Sequence, residues 1–119
     1  MFGWFKKKTW ESPVGAWDNL DIITKRKNGG VDLLIVTARQ LDSSPQTIDV
    51  LERKFRNYCQ YVKSSDFANE FGPPSVERVR IGISSDWEVP DEVMQHLVAI
   101  NEEEQTPAEL ALFYQYPTE

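Results

Sequence analysis

Glu52-Arg53-Lys54, inside "LERKFRNYCQYV" (51–62), is the one triplet in this chain whose residue types read as an active-site signature. It has the form E-x-K, with Asp32 20 residues upstream, the order of groups used by metal-dependent nucleases. That chemistry needs a strand, because only there do residues two apart point the same way. The surrounding residues predict a helix instead: Ile48, Leu51, Phe55, Tyr58 and Val62 are spaced 3, 4, 3 and 4 and form one apolar stripe. On a helix, residues two apart diverge by about 200° around the axis, so Glu52 and Lys54 do not converge on one cation. The charges are expected to pair at i,i+4 on the solvent side, Glu52 with Arg56 and Asp49 with Arg53.

The remaining reactive side chains are sparse. His96 is the single histidine, on a second helical stretch beside its apolar stripe, and no local sequence supplies the partner that acid–base work needs. Cys59 sits among Phe55, Tyr58 and Val62, which predicts a buried, inert thiol rather than a nucleophile in an electropositive niche. Glu102-Glu103-Glu104 reads as a solvated acidic run in a polar loop, without the fixed geometry of a metal site. "KNGG" (27–30) is a hairpin turn, and no G-x-G-x-x-G phosphate loop occurs. No catalytic residue, metal ligand or cofactor is assigned, and the sequence favours a non-enzyme.

The elements that would position any site are legible. Runs rich in Ile, Val and Leu flank Asn28-Gly29, whose two residues suit a turn with both central positions at φ > 0. The second run, "VDLLIVTA", is apolar enough for a central strand. "LDSSPQT" starts a helix, either through a Ser43/Gln46 capping box or through Ser44 as N-cap with Pro45 at N1. A short extra turn follows before Gly72 and Pro73-Pro74. "VERVRIGI" alternates, with Val79, Ile81 and Ile83 on one face and Arg78 and Arg80 on the other. Pro90, Asp91 and Glu92 open a second main helix whose inner stripe is Val93, Leu97 and Ile100, and "ELALFYQY" is a last strand. The order ββαβαβ predicts an α/β (α+β) two-layer sandwich, a mixed four-stranded sheet with two main helices; the strand order is left open, and strands in chain order would place both helices on one face. The other face needs cover, from the aromatic N-terminal segment or from a partner.

At 119 residues the chain has room for one core, expected over residues 20–116, preceded by an aromatic and basic segment over 1–19. One cysteine points to a reducing compartment. With no run long enough to span a bilayer and no secretory signal in "MFGWFKKK", a cytoplasmic location is expected. Phe2, Trp4, Phe5 and Trp10 around Lys6-Lys7-Lys8 resemble an interfacial anchor, which allows weak peripheral membrane contact by residues 1–10. The net charge of −6 is uneven: residues 1–30 carry six bases against three acids, and residues 31–119 carry seven against sixteen. After Arg80 no Lys or Arg occurs, while nine acids follow. A one-signed surface of this kind repels nucleic acid and attracts basic partners.

The hairpin and "VDLLIV" strand, followed by a helix of the form L-x-x-K-x-x-x-Y at Leu51, Lys54, Phe55, Tyr58 and Val62, resemble a family of small uncharacterised bacterial α/β domains. The resemblance covers roughly residues 20–115 and implies the fold rather than an activity. Lys54 and Tyr58 are its least generic positions, at i,i+4, where the lysine stem can pack along the ring.

The composition leads to an acidic protein-interaction module, comparable to an immunity protein that binds a basic partner, with Asp86, Trp87, Glu88, Asp91, Glu92, Glu102, Glu103 and Glu104 as the binding residues. The alternative is a small ligand-binding domain or enzyme with its site at the C-terminal ends of the parallel strands, at Thr37, Arg39, Ser84, Ser85 and Asp86. A homodimer through the uncovered sheet face or the aromatic N-terminus is a third expectation.

Overall fold

The computed structural model describes residues 10–114, so the aromatic and basic residues 1–9 and the end of the chain from 115 lie outside it. Seven elements run in the order β1 (Ile22–Lys25), β2 (Val31–Val36), α1 (Pro45–Val62), α2 (Ser65–Phe71), β3 (Val79–Ser85), α3 (Asp91–Glu104) and β4 (Glu109–Tyr114). The sheet order is β1-β2-β3-β4. β1 and β2 are antiparallel, and β2, β3 and β4 run parallel. The fold is therefore the expected mixed four-stranded sheet, with α2 as a third, shorter helix.

The register explains the two layers. Leu33 aligns with Ile81 and Leu110, and Ile35 with Ile83 and Leu112, so the middle of one face of the three parallel strands is aliphatic. α1 and α3 pack on each other over that face. Leu51, Phe55, Tyr58, Cys59 and Val62 of α1 and Val93, Leu97 and Ile100 of α3 are buried. Phe67 of α2 plugs the end of this core, edge-on to Tyr61 at 5.6 Å between ring centroids.

Ser44 is the N-cap of α1: its hydroxyl accepts from the Thr47 amide at 3.3 Å, and Pro45 follows at N1. Asp42 accepts from the Ser44 amide at 3.0 Å. Hydrogen bonds from Ser44, side chain and backbone, and from Thr47 hold its carboxyl down at about 2. α2 starts on Ser64 and stops at Gly72, whose φ of 87° suits only glycine well.

Two expectations need correction. The hairpin is not a two-residue turn with both central residues left-handed. The Gly29 amide bonds Arg26 O and the Arg26 amide bonds Gly30 O, leaving the three-residue loop 27–29 with positive φ at Gly29 and not at Asn28. That matches a turn closed by a glycine bulge. Glu102–Glu104 are not in a loop: they form the last turn of α3, which ends on Gln105 in the left-handed conformation. Val14, within the N-terminal segment, is part of the core, and Pro13 O accepts from the Ala38 amide.

The opposite sheet face is chemically mixed. Arg80 clasps Asp32 through two 2.9 Å bonds and lies 5.1 Å from the Phe113 ring centroid. The same ring covers Gly82, where a Cβ would sit 2.7 Å from both the ring and Ala111 O. Among the described residues no helix is long and apolar enough to cross a membrane.

Candidate functional site

The E-x-K triplet is dispersed by the fold. All three residues lie on α1. Lys54 points inward with no exposed surface, Glu52 turns to α3, where its Oε2 lies 2.9 Å from His96 Nδ1, and Asp32 is held by Arg80 across the sheet. The expected Glu52–Arg56 pair is replaced by this interhelical contact, whereas Asp49 and Arg53 do pair at 3.4 Å. Cys59 is fully buried, and burial pushes its thiol pKa up, so it is held as the thiol. Among the described residues no group of three or more His, Cys, Asp or Glu is arranged to hold a metal.

Lys54 and Tyr58 instead converge on Asp21. The Lys54 ammonium donates to Asp21 Oδ1 at 2.8 Å and to the Val14 carbonyl. Asp21 Oδ2 accepts from the Val36 amide at 2.9 Å. The Tyr58 hydroxyl donates to Leu34 O at 2.7 Å and accepts from the Asp21 amide at 2.8 Å. Burial raises the Tyr58 pKa well above its ordinary value, so the phenol stays neutral. Every charge and donor here has a partner, which is the condition for burying them. The network clamps residues 14–21 against α1 and β2. Lys54 and Tyr58 are withdrawn from solvent and Asp21 keeps 15% of its side chain exposed, an arrangement that anchors the segment.

The second expected locus is the C-terminal end of the parallel strands. Thr37 and Ser84 are neighbours there, with the Thr37 amide donating to Ser84 O at 3.1 Å. Thr37 Oγ1 is buried without a hydrogen-bond partner among the described residues. Ser85 is committed to its own loop: its hydroxyl accepts from the Trp87 amide at 3.0 Å and donates to Trp87 O at 2.8 Å. Arg39 bends back to the Glu11 carbonyl. Asp86 is exposed. The five residues share one edge, and three depressions among the described residues lie on the helical layer instead.

The acidic residues separate into two groups. Glu103 and Glu104 are engaged by α1: Glu104 bonds Arg56 at 2.8 Å, Lys63 at 3.1 Å and Gln60 at 2.8 Å, and Glu103 bonds Arg56 at 3.2 Å. Lys63, then Arg56, lower the Glu104 pKa. These cations offset the unfavourable placement of acids at a helix C-terminus. Asp86, Glu88, Asp91, Glu92 and Glu102 are exposed and have no ion pair among the described residues. Between the ends of this second group, α3 carries a shallow groove of about 360 Å³ lined by Asp91, Met94, Val98 and Glu102. Sequence reading missed the groove because Met94 and Val98 fall off the buried stripe, and it missed Asp21 because a partner 33 residues away leaves no local signal.

A model for a family of unknown function, DUF6572, matches residues 13–116. The chain belongs to this family. The DUF6572 match takes in the hairpin, both main helices and the last strand, and it starts at Pro13, next to the Val14 carbonyl that Lys54 holds. Comparison with curated proteins and with solved structures gave no match. Membership therefore fixes the family and leaves its activity open.

Proposed function

We propose that this domain is a non-catalytic protein-interaction module that binds a basic partner through the β3–α3 loop and the outer face of α3. The observation that carries this reading is the set of exposed acids with no ion pair among the described residues: Asp86, Glu88, Asp91 and Glu92, close in sequence to the exposed Trp87, and Glu102 at the far end of α3. An aromatic side chain fixed among like charges is the usual composition of an anchor for a cationic surface. Ser85 supports this role by tying the Trp87 backbone at both its amide and its carbonyl, which reduces the ordering cost of binding. Glu103 and Glu104 contribute through the field of the surface, since their carboxylates are already bonded to α1.

Replacing Asp91 and Glu92 together by lysine tests the reading. Both side chains are exposed at the start of α3, so the fold should persist with a modest loss of helix-dipole stabilisation. Affinity for the partner should fall at least about tenfold. An unchanged affinity would remove this surface from consideration.

A small-ligand site at the strand ends is supported by one atom, the buried Thr37 Oγ1. A thermal-shift screen against small polar metabolites, repeated on Thr37→Val, checks it. A compound that raises the melting temperature of the native chain and not of the variant would favour a ligand site over a partner surface.

A further inference from the structure

The outer face of α3 has a shape as well as a charge. Gln95 and Ala99, one turn apart, form a low ridge with a depression on each side, about 360 Å³ toward Met94 and Val98 and about 290 Å³ toward Glu92 and His96. Ala99 is exposed and small, which lets another backbone come close. Val98 is 45% exposed, an aliphatic side chain left in water on an otherwise polar face. Asp91 closes one end of the apolar groove and Glu102 the other, both exposed. Eleven residues at 1.5 Å each place these carboxylates about 16 Å apart along the axis.

We propose that this face is a docking groove for an amphipathic helix whose short apolar stripe is flanked at both ends by Lys or Arg. The inference rests on the basic-partner reading and adds the partner's secondary structure and the spacing of its charges. A helix fits because the grooves follow the i,i+4 and i,i+3 rows of α3, the geometry into which side-chain ridges of a second helix insert. An extended strand would find no free backbone edge here, since the sheet edges are β1 and β4. A second copy of the chain meeting this face with the same face would set Asp91 and Glu102 against like charges, and no lysine or arginine follows Arg80 to relieve them. Nucleic acid is repelled for the same reason. A cationic helix leaves none of these charges opposed.

The test is a selection from a displayed library of helical peptides, randomised along one face, against the full chain. The best enriched peptides are then synthesised and titrated against the native protein, Val98→Asp, Asp91→Lys/Glu102→Lys and Asp86→Lys/Glu88→Lys. Enriched peptides should carry apolar residues one turn apart with Lys or Arg about 16 Å apart along the helix, and both Val98→Asp and Asp91→Lys/Glu102→Lys should weaken them at least about tenfold. The exposed position of Val98 predicts an unchanged fold, verified by far-ultraviolet circular dichroism and melting. Peptides that bind Val98→Asp as tightly as the native chain overturn the groove. If those peptides are still weakened by Asp86→Lys/Glu88→Lys, the acidic-surface reading survives without it. Indifference to all three variants removes both.

Discussion

Lys54 has no exposed surface, and its ammonium is committed to Asp21 and to the Val14 carbonyl. Removing one partner of a buried pair strands the other, at a cost of about 3–5 kcal/mol. Lys54→Met should therefore destabilise the fold by about that amount, measured by urea unfolding. The double variant Lys54→Met/Asp21→Asn should lose clearly less than the sum of the two single changes, because each single change strands a charge and the double variant leaves none. Additive losses would mean that the two side chains are not coupled. Gly82 is a second residue with a specific demand. A methyl there meets the Phe113 ring and Ala111 O at 2.7 Å, so Gly82→Ala should cost about 1–3 kcal/mol through overpacking. The two positions differ in how far the sequence exposes them. Lys54 stands out as a charge next to an apolar stripe, but its role depends on Asp21, in a stretch with no periodicity. Gly82 looks like an ordinary strand glycine until the register sets Phe113 beside it.

At the scale of elements, the link between α1 and α3 is made by charge as well as by their apolar stripes. Glu104 bridges to Lys63 and Arg56, and these cations hold its pKa below the ordinary 4.5. An unfolded chain would take up the proton at a higher pH than the folded one. The stabilisation from Glu104 is thus fully present above pH 4.5 and is lost as the pH falls through its lowered folded value. Melting temperatures followed from pH 6 to pH 3 (about that range) should fall less steeply for Glu104→Gln than for the native chain. Identical slopes would show that the clasp carries no linkage. The start of α1 was legible because Ser44 and Pro45 are a local signal read by adjacent amides. The end of α3 was not. Three successive glutamates read as a loop, and only the cations of α1, some 40 positions earlier, make them tolerable in a last helical turn.

At the scale of the whole molecule, the mixed sheet was legible in the alternation of hairpin and helical connections, which set which strands run parallel, whereas the order β1-β2-β3-β4 was not, because a helical crossover does not specify the neighbour it reaches. Among the described residues, the run without Lys or Arg after Arg80 becomes an acidic surface. Arg80, the last base in the chain, is used on the open sheet face, where Asp32 raises its pKa and keeps it ionised. Arg56 and Lys63 are used at the C-terminal end of α3. The β3–α3 loop and the outer face of α3 are left acidic. The sequence indicates this imbalance but not the groove, which exists only once α3 sets the exposed Val98 beside the half-buried Met94 between Asp91 and Glu102. The central claim is that this surface receives a basic partner. Its most direct test is capture from a lysate of the source organism at low and at raised salt, run in parallel with the native chain and with Asp91→Lys/Glu92→Lys. A stoichiometric basic protein is expected on the native chain, released as salt rises and absent from the variant. A partner retained equally by the variant, or a native chain that captures nothing at equal sensitivity, would contradict it.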